Sequence, residues 1–369
     1  MAGLSSLKRV IDSSLYRRKA GHFSGDSGIA SWVFGCLNIR AFSSVGDVGI
    51  ETGNGQKQDG QKLHQVRCLL NEYGFTPEQV TRVSKSFPSA FSANVEVLSP
   101  KLAFLRSILG SNDDVARIIS ANPKMLASSL KNQLLPNYQF IKSILEQDEL
   151  VAKSIRRSTR ILCIDIQNNL GAKVSFFRDN GVPDTSIAKL MEYSPGTFAV
   201  SFSKLEESLK KAMALGFEPS NPMIVNAIRA ICQINVSTWD RKVELYRKWG
   251  WSNDDVLRAF KKHPFIMCIS EEKINKGMDF MFNTIGLSLS DIVKYPNIMS
   301  FSVEERIIPR FSVVALLLSK GILCDSPSNI STYFGAIRAK EEAFVKKFVD
   351  KYPEHVLEVW QKLRRKAAV

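Results

Sequence analysis

Residues 250–268 read GWSNDDVLRAFKKHPFIMC, and the same grammar recurs at 110–127, GSNDDVARIISANPKMLA, and at 286–300, GLSLSDIVKYPNIMS. In each, a glycine turn leads to a serine with an acid three residues on, then an amphipathic run, then a proline. Ser252 with Asp255, Ser111 with Asp114 and Ser288 with Asp291 mark a helix start, and Thr76 with Gln79 adds a capping box with Pro77 at the first helical position. Proline disfavours helical geometry in the residue before it and cannot donate an interior helix bond, so the helix should end there.

Outward from these stretches the pattern becomes periodic. Gly74, Gly110, Glu146, Gly181, Gly216, Gly250, Gly286 and Gly321 lie 34 to 36 residues apart. A second series, Pro88, Pro123, Pro195, Pro264 and Pro296, runs out of phase with it, and Ser158 and Ala230 stand where two further prolines are due. Each proline is followed at the third and fourth places by a large apolar and a small residue, as in Phe91 and Ser92, Leu126 and Ala127, Phe198 and Ala199, Met267 and Cys268, and Met299 and Ser300. Beyond them apolar residues recur every three or four positions, as in Leu98, Leu102, Leu105 and Leu109, which predicts a second helix. Ser203 with Glu206 and Ser302 with Glu305 look like caps for that second helix. The expected fold is therefore all-α: a curved superhelical solenoid of about eight units of roughly 35 residues, each helix, break, helix, turn. The third and fifth units, lacking the proline, are the ones whose shape the pattern leaves open.

The proline with its large and small followers, the serine-led second helix and the glycine turn together resemble the repeats of the mitochondrial transcription termination factor (mTERF) family in its plant form, over roughly residues 63 to 350. That resemblance implies an organellar nucleic-acid binder. The pentatricopeptide repeat has a similar period, but it needs an uninterrupted helix pair and a base-reading polar series at one phase, neither of which is present. Tetratricopeptide repeats need a Trp, Leu-Gly, Tyr and Ala framework that is missing.

Residues 1–42 carry Lys8, Arg9, Arg17, Arg18, Lys19 and Arg40 against Asp12 and Asp26, a composition expected of an organelle transit peptide. Arg40 sits before Phe42 and Ser43 as in mitochondrial processing sites, so cleavage between Phe42 and Ser43 and a mitochondrial address are expected, with the chloroplast as the alternative. Residues 43–60, with Gly53, Asn54, Gly55 and Gly60, read as a flexible linker, 61–335 as the solenoid, and 336–369 as a capping helix with a basic tail. No later segment is long and apolar enough for a membrane span.

Formal net charge is +14, of which the first 42 residues supply four; residues 43–150 balance at eleven of each sign, so the remaining +10 sits in residues 151–369. A polyphosphate backbone is the expected partner of such a field. The candidate contacts are Arg156, Arg157, Arg160, Lys210, Lys211, Arg229, Arg241, Lys242, Arg258, Lys261, Lys262, Lys276, Arg306 and Arg310. Chemistry is not expected. His64, His263 and His355 are scattered, His263 occupying a place held by Phe87, Asn122, Ser194 or Tyr295 in other units, and no phosphate loop or nucleophile motif occurs. The six cysteines form no CxxC pair, Cys163 and Cys268 read as small packing residues, and Asp113, Asp114, Asp254 and Asp255 read as first-turn dipole partners, so no metal or cofactor is expected. The expected function is that of a non-enzymatic, monomeric DNA or RNA binder acting in transcription termination, transcript processing or intron splicing; the alternatives are a protein-interaction scaffold, for example in mitoribosome assembly, or a pentatricopeptide-like RNA binder.

Overall fold

The computed structural model describes residues 55–92, 94–323 and 329–367. The transit segment, Phe42, Ser43 and residues 43–54 of the linker lie outside them. Among the described residues there are eighteen α-helices and no strand. They are α1 (Gly55–Glu72), α2 (Pro77–Ser86), α3 (Val95–Leu109), α4 (Asn112–Ala121), α5 (Leu135–Leu145), α6 (Asp148–Arg157), α7 (Gly171–Asp179), α8 (Asp184–Tyr193) and α9 (Phe202–Ala214). The second half holds α10 (Ile224–Gln233), α11 (Val236–Lys248), α12 (Asn253–Lys262), α13 (Glu271–Met278), α14 (Leu289–Lys294), α15 (Ile308–Ser319), α16 (Asn329–Arg338), α17 (Glu341–Phe344) and α18 (Pro353–Ala367). α1 begins inside the segment read as a linker: Gly55 and Gly60 are outweighed by the good helix formers Gln56, Lys57, Gln58 and Gln61 around them.

The repeat is as the pattern requires. Pro88, Pro123, Pro195, Pro264 and Pro296 each begin a five-residue 3-10 turn directly after a first helix has ended. The residue before the proline is held extended, as at Asn122 (φ −141°) and His263 (φ −149°), and its N–H closes the helix on the carbonyl four residues back. The capping boxes at Thr76, Ser252 and Ser288 are formed, and Ser111 caps α4. Ser302 accepts from the Glu305 N–H as expected. The Ser203 cap is not formed: α9 starts earlier, on Ser201, because Phe202 is drawn onto Phe176, ring centroids 5.1 Å apart.

Each unit ends on a left-handed turn. All seven glycines of the series have φ between 69° and 92°, and Glu146, at 63°, is the one non-glycine with positive φ among the described residues. The period thus reflects a backbone requirement that glycine meets without cost and Glu146 meets under strain.

The two units without proline part company. In the third, the break survives shifted by one residue: Ser158 ends α6 and the 3-10 turn runs Thr159–Cys163, so Thr159 holds the proline's place. In the fifth the break is gone. Pro219 and Pro222 fill an irregular stretch after Gly216, α10 starts only at Ile224, and Ala230 lies buried inside it. α10 keeps the ten residues of α2, α4, α6, α8 and α12, so the delay uses up the residues of the missing turn.

A periodic polar series runs through the core, which the pattern of apolar residues does not announce. Lys101, Asn137, Lys173, Ser208 and Lys242 occupy one repeat position of the second helices and are all buried. Lys101 Nζ donates to the Leu126 carbonyl at 2.6 Å, Asn137 to Ile161 and Ile164, Lys173 to Phe198 and Val200, and Lys242 to Met267 and Ile269 at 2.6 and 2.5 Å. Each clamps the carbonyls at the end of the next unit's 3-10 turn, which have no partner within the turn. Burial pulls all three lysines below their ordinary pKa. Ser208, whose next unit has no such turn, donates instead to Lys204 of its own helix.

The last unit is closed by a cluster of Val313, Val314, Leu317, Ala336, Phe344, Phe348, Val349, Val356 and Trp360, in which α15 packs against α16 and α18. The capping segment is thus α17 and α18, joined through a π-helical stretch at Val345–Val349.

Candidate nucleic-acid interface

The fourteen basic residues singled out from sequence fall into distinct groups. Lys242 and Arg310 do not belong to a surface. Lys242 is 5% exposed and serves as a clamp, and Arg310 is 1% exposed, donating to the carbonyls of Ala336, Ile337 and Ala339 and to Glu341. A buried cation is stable only when its donors are taken up, and here backbone carbonyls take them. Arg306 does similar work from a half-buried position, donating to Ile337 and Ala339 and lying 4.3 Å from the Phe301 ring. Arg156, in the third unit, bonds Asp114 of the second at 2.7 Å and the Leu109 carbonyl at the end of the first at 2.7 Å, tying three units together. Neighbouring Arg117 also pairs with Asp114 and, ahead of Arg156, holds that carboxyl below its usual range.

A second group is exposed but faces carboxylates: Lys210 with Glu206, Arg241 with Glu271, Arg258 with Asp255, and Lys276 with Glu272 and Glu304. Such surface pairs are worth little to stability, and a phosphate can displace them.

Among the described residues the remaining cations form no ion pair with a carboxylate, although the Asp240 charge acts on Lys211 without direct contact. Arg160 is exposed on the third unit's turn. Lys261 lies over the Gly216 turn, its Nζ 2.6 Å from where a Cβ would stand there, and Lys262 reaches toward the Lys294 carbonyl. Lys211 sits 4.0 Å from the Trp239 ring, with burial lowering its pKa. Arg157 is exposed at the end of α6, donating to the Glu192 carbonyl and lying 5.0 Å from the Tyr193 ring. Arg229, half-buried on α10, lies 4.8 Å from the Phe265 ring and donates to Asn226 at 3.3 Å.

Arg157 and Arg229 share one cleft of about 470 Å³, lined also by Tyr193, Ser194, Gly196, Thr197, Cys232 and Gln233. Sequence reasoning named both arginines but not Tyr193 or Gly196, and nothing in the sequence places residues 157, 193 and 229 together except their spacing of about one repeat.

No group of three metal-ligating side chains occurs among the described residues. Cys163, Cys232 and Cys268 are half-buried and burial raises their thiol pKa, so they favour the unreactive thiol. His263 is half-buried, its Nε2 2.6 Å from Ser300 Oγ, and burial lowers its pKa. Among the described residues no helix is long and apolar enough to cross a membrane.

The family model described as mTERF matches this chain over residues 68–276 and 194–333. Among curated proteins the chain is similar to two from Arabidopsis thaliana. It is 22% identical over 324 residues, 87% of this chain and 62% of the relative, to transcription termination factor MTERF15, mitochondrial. It is 19% identical over 254 residues, 69% of this chain and 44% of the relative, to transcription termination factor MTERF8, chloroplastic. The chain thus spans less than two thirds of the length of either relative.

Proposed function

The chain belongs to the mTERF family, and from that membership we propose that it is an organellar nucleic-acid-binding protein regulating mitochondrial gene expression. It holds DNA or RNA along a basic surface of the solenoid, in transcription termination or in transcript processing and intron splicing, and catalyses no reaction. The observation that carries this reading is the set of exposed or half-exposed cations without carboxylate partners, Arg157, Arg160, Lys211, Arg229, Lys261 and Lys262, on a scaffold of family repeats. Each phosphate they neutralise releases condensed counterions, so affinity should fall linearly with salt on logarithmic axes, by about 0.9 per duplex contact or about 0.7 on a single strand.

The two relatives, transcription termination factors of which one is mitochondrial and one chloroplastic, support an organelle and a role in termination. The basic, acid-poor first 42 residues and Arg40 favour the mitochondrion. A fluorescent protein fused behind residues 1–60 should enter mitochondria, and exclusive plastid import would overturn the address while leaving the binding proposal intact.

The direct test is binding of the protein to a generic labelled duplex and single strand across a salt series. Salt-dependent binding to either supports the proposal. No measurable affinity for either at low salt overturns it in favour of a protein-interaction scaffold. The chain is taken to act as a monomer, which sedimentation of the protein alone checks.

A further inference from the structure

The row of 3-10 turns is continuous from Pro123–Ala127 through Thr159–Cys163 to Pro195–Ala199, and resumes from Pro264–Cys268 to Pro296–Ser300. Between these two runs, the fifth unit supplies a helix in place of a turn. The cleft shared by Arg157 and Arg229 opens at that interruption: one wall is the turn Pro195–Ala199 with Tyr193 and Ser194, the other is Arg229, Cys232 and Gln233 of α10.

Its lining holds two arginines and no carboxylate. The nearest acid in sequence, Glu192, is engaged by Lys153 at 2.7 Å. Arg229 Nε is buried and has no hydrogen-bond partner. A buried donor left unmade is costly, and two guanidinium groups facing one space repel each other. Burial lowers the Arg229 pKa, and the charge of Arg157 lowers it further. A tetrahedral anion between the two arginines would offset their repulsion and the cost of burying the Arg229 charge, because guanidinium forks match phosphate oxygens in pairs.

We propose that this cleft grips one backbone phosphate of the bound nucleic acid between Arg157 and Arg229, and that the missing turn of the fifth unit is what makes room for it. The inference rests on the nucleic-acid reading above and specifies where along the solenoid the strand is anchored. Gly196 lies in the lining, and a Cβ there would meet only Ser158 Oγ, at the ordinary contact distance of 3.9 Å, so the backbone accommodates a side chain at this place.

The test compares full-length wild type with R157Q/R229Q, with G196F, which adds a ring at the cleft lining without removing charge, and with R82Q/R106Q, which removes two exposed arginines outside the candidate contacts. The probes are a labelled single-stranded oligonucleotide and its duplex, with inorganic phosphate added separately in a thermal-shift arm. R157Q/R229Q should weaken binding by about tenfold or more and lower the salt slope by roughly one contact. G196F should weaken it as well, and R82Q/R106Q should change it less than about twofold. Circular dichroism and melting temperature establish that each variant is folded. If wild type binds and the first two variants bind equally well, the cleft is overturned and the nucleic-acid reading stands. If wild type binds neither oligonucleotide, the broader reading fails. If inorganic phosphate raises the wild-type melting temperature while neither oligonucleotide binds, the cleft takes a free anion, and its assignment to a nucleic-acid backbone is overturned.

Discussion

The fifth and sixth units have nearly the same length, yet one bends its chain before the first helix and the other after it. In the sixth, Ser252 caps α12 three residues after Gly250's turn begins, and Pro264 starts the 3-10 turn that Lys242 clamps. In the fifth, Pro219 and Pro222 delay α10, no turn follows, and the clamp position of the preceding helix holds Ser208. The contrast separates what the repeat must conserve from what it can move. Both units keep a ten-residue first helix and a left-handed turn. In the fifth unit the 3-10 turn is omitted, and Ser208, bonded within its own helix, stands where a side chain would have met the turn's carbonyls.

The strongest way to break that comparison is to impose the missing proline. Ala230→Pro places a ring inside α10, where it removes a helix hydrogen bond in a fully buried position, and should cost about 3 kcal/mol or more, read as a fall in the denaturant midpoint or as failure to fold. A stable Ala230→Pro protein would mean the fifth unit can still form a turn. Next in size is the clamp. Lys242→Ala leaves the Met267 and Ile269 carbonyls unpartnered together with a cavity, at a cost of about 2–4 kcal/mol, whereas Ser208→Ala should cost under about 1 kcal/mol. Equal losses at the two positions in chemical denaturation would show that the clamps do not track the turns.

Thr159→Pro should act in the opposite sense. Ser158 already has the extended backbone that precedes a proline (φ −145°, ψ 97°), so the ring fits and reduces the freedom of the unfolded chain, stabilising by about 0.4–1 kcal/mol. Ser158→Pro, one residue earlier, should destabilise, because the Ser158 N–H is the donor that closes α6 on Ser154.

The smallest effect concerns His263, at the end of α12 in the regular unit. Burial depresses its pKa, so as pH falls the unfolded chain takes up the proton first. Its contribution is complete above the unfolded value of about 6.5 and is lost as pH falls through that value toward the folded one. His263→Asn, the residue the second unit uses at this place, should therefore lose less melting temperature than wild type between about pH 7.5 and about pH 5.5.

The period, the helix pairs, the proline turns and most caps were legible because each rests on a local rule that one residue type satisfies: glycine for positive φ, proline for the break, serine for the cap. Glu146 was legible for the same reason, as a gap in a glycine series whose backbone the fold still enforces. The one-residue shift to Thr159 was not, since a period of 34 to 36 cannot fix a register to one residue. Nor was the division of the basic residues. Lys242 and Arg310 carry the same charge as Lys261, and only their place on the apolar stripe of a second helix marks them as internal. Lys101, Lys173 and Lys242 recur on that stripe at multiples of the repeat, so the signal was present, but lysine reads by default as surface. The cleft depends on side chains from three units and on a turn that is absent, which no local rule reports.

The aromatic cluster that closes α15 bears on how the stack ends. Every internal unit offers an apolar face to its successor, so a stack with no terminator is a sticky end that can accept another molecule as readily as another unit. Phe344, Phe348, Val356 and Trp360 cover that face from within the same chain. A chain cut before Glu341 would uncover Val313, Val314 and Leu317, and the expected result is end-to-end association into polymers of variable length. The terminal helices thus cover the face on which a further unit would pack, in the way a cap arrests the growth of a filament.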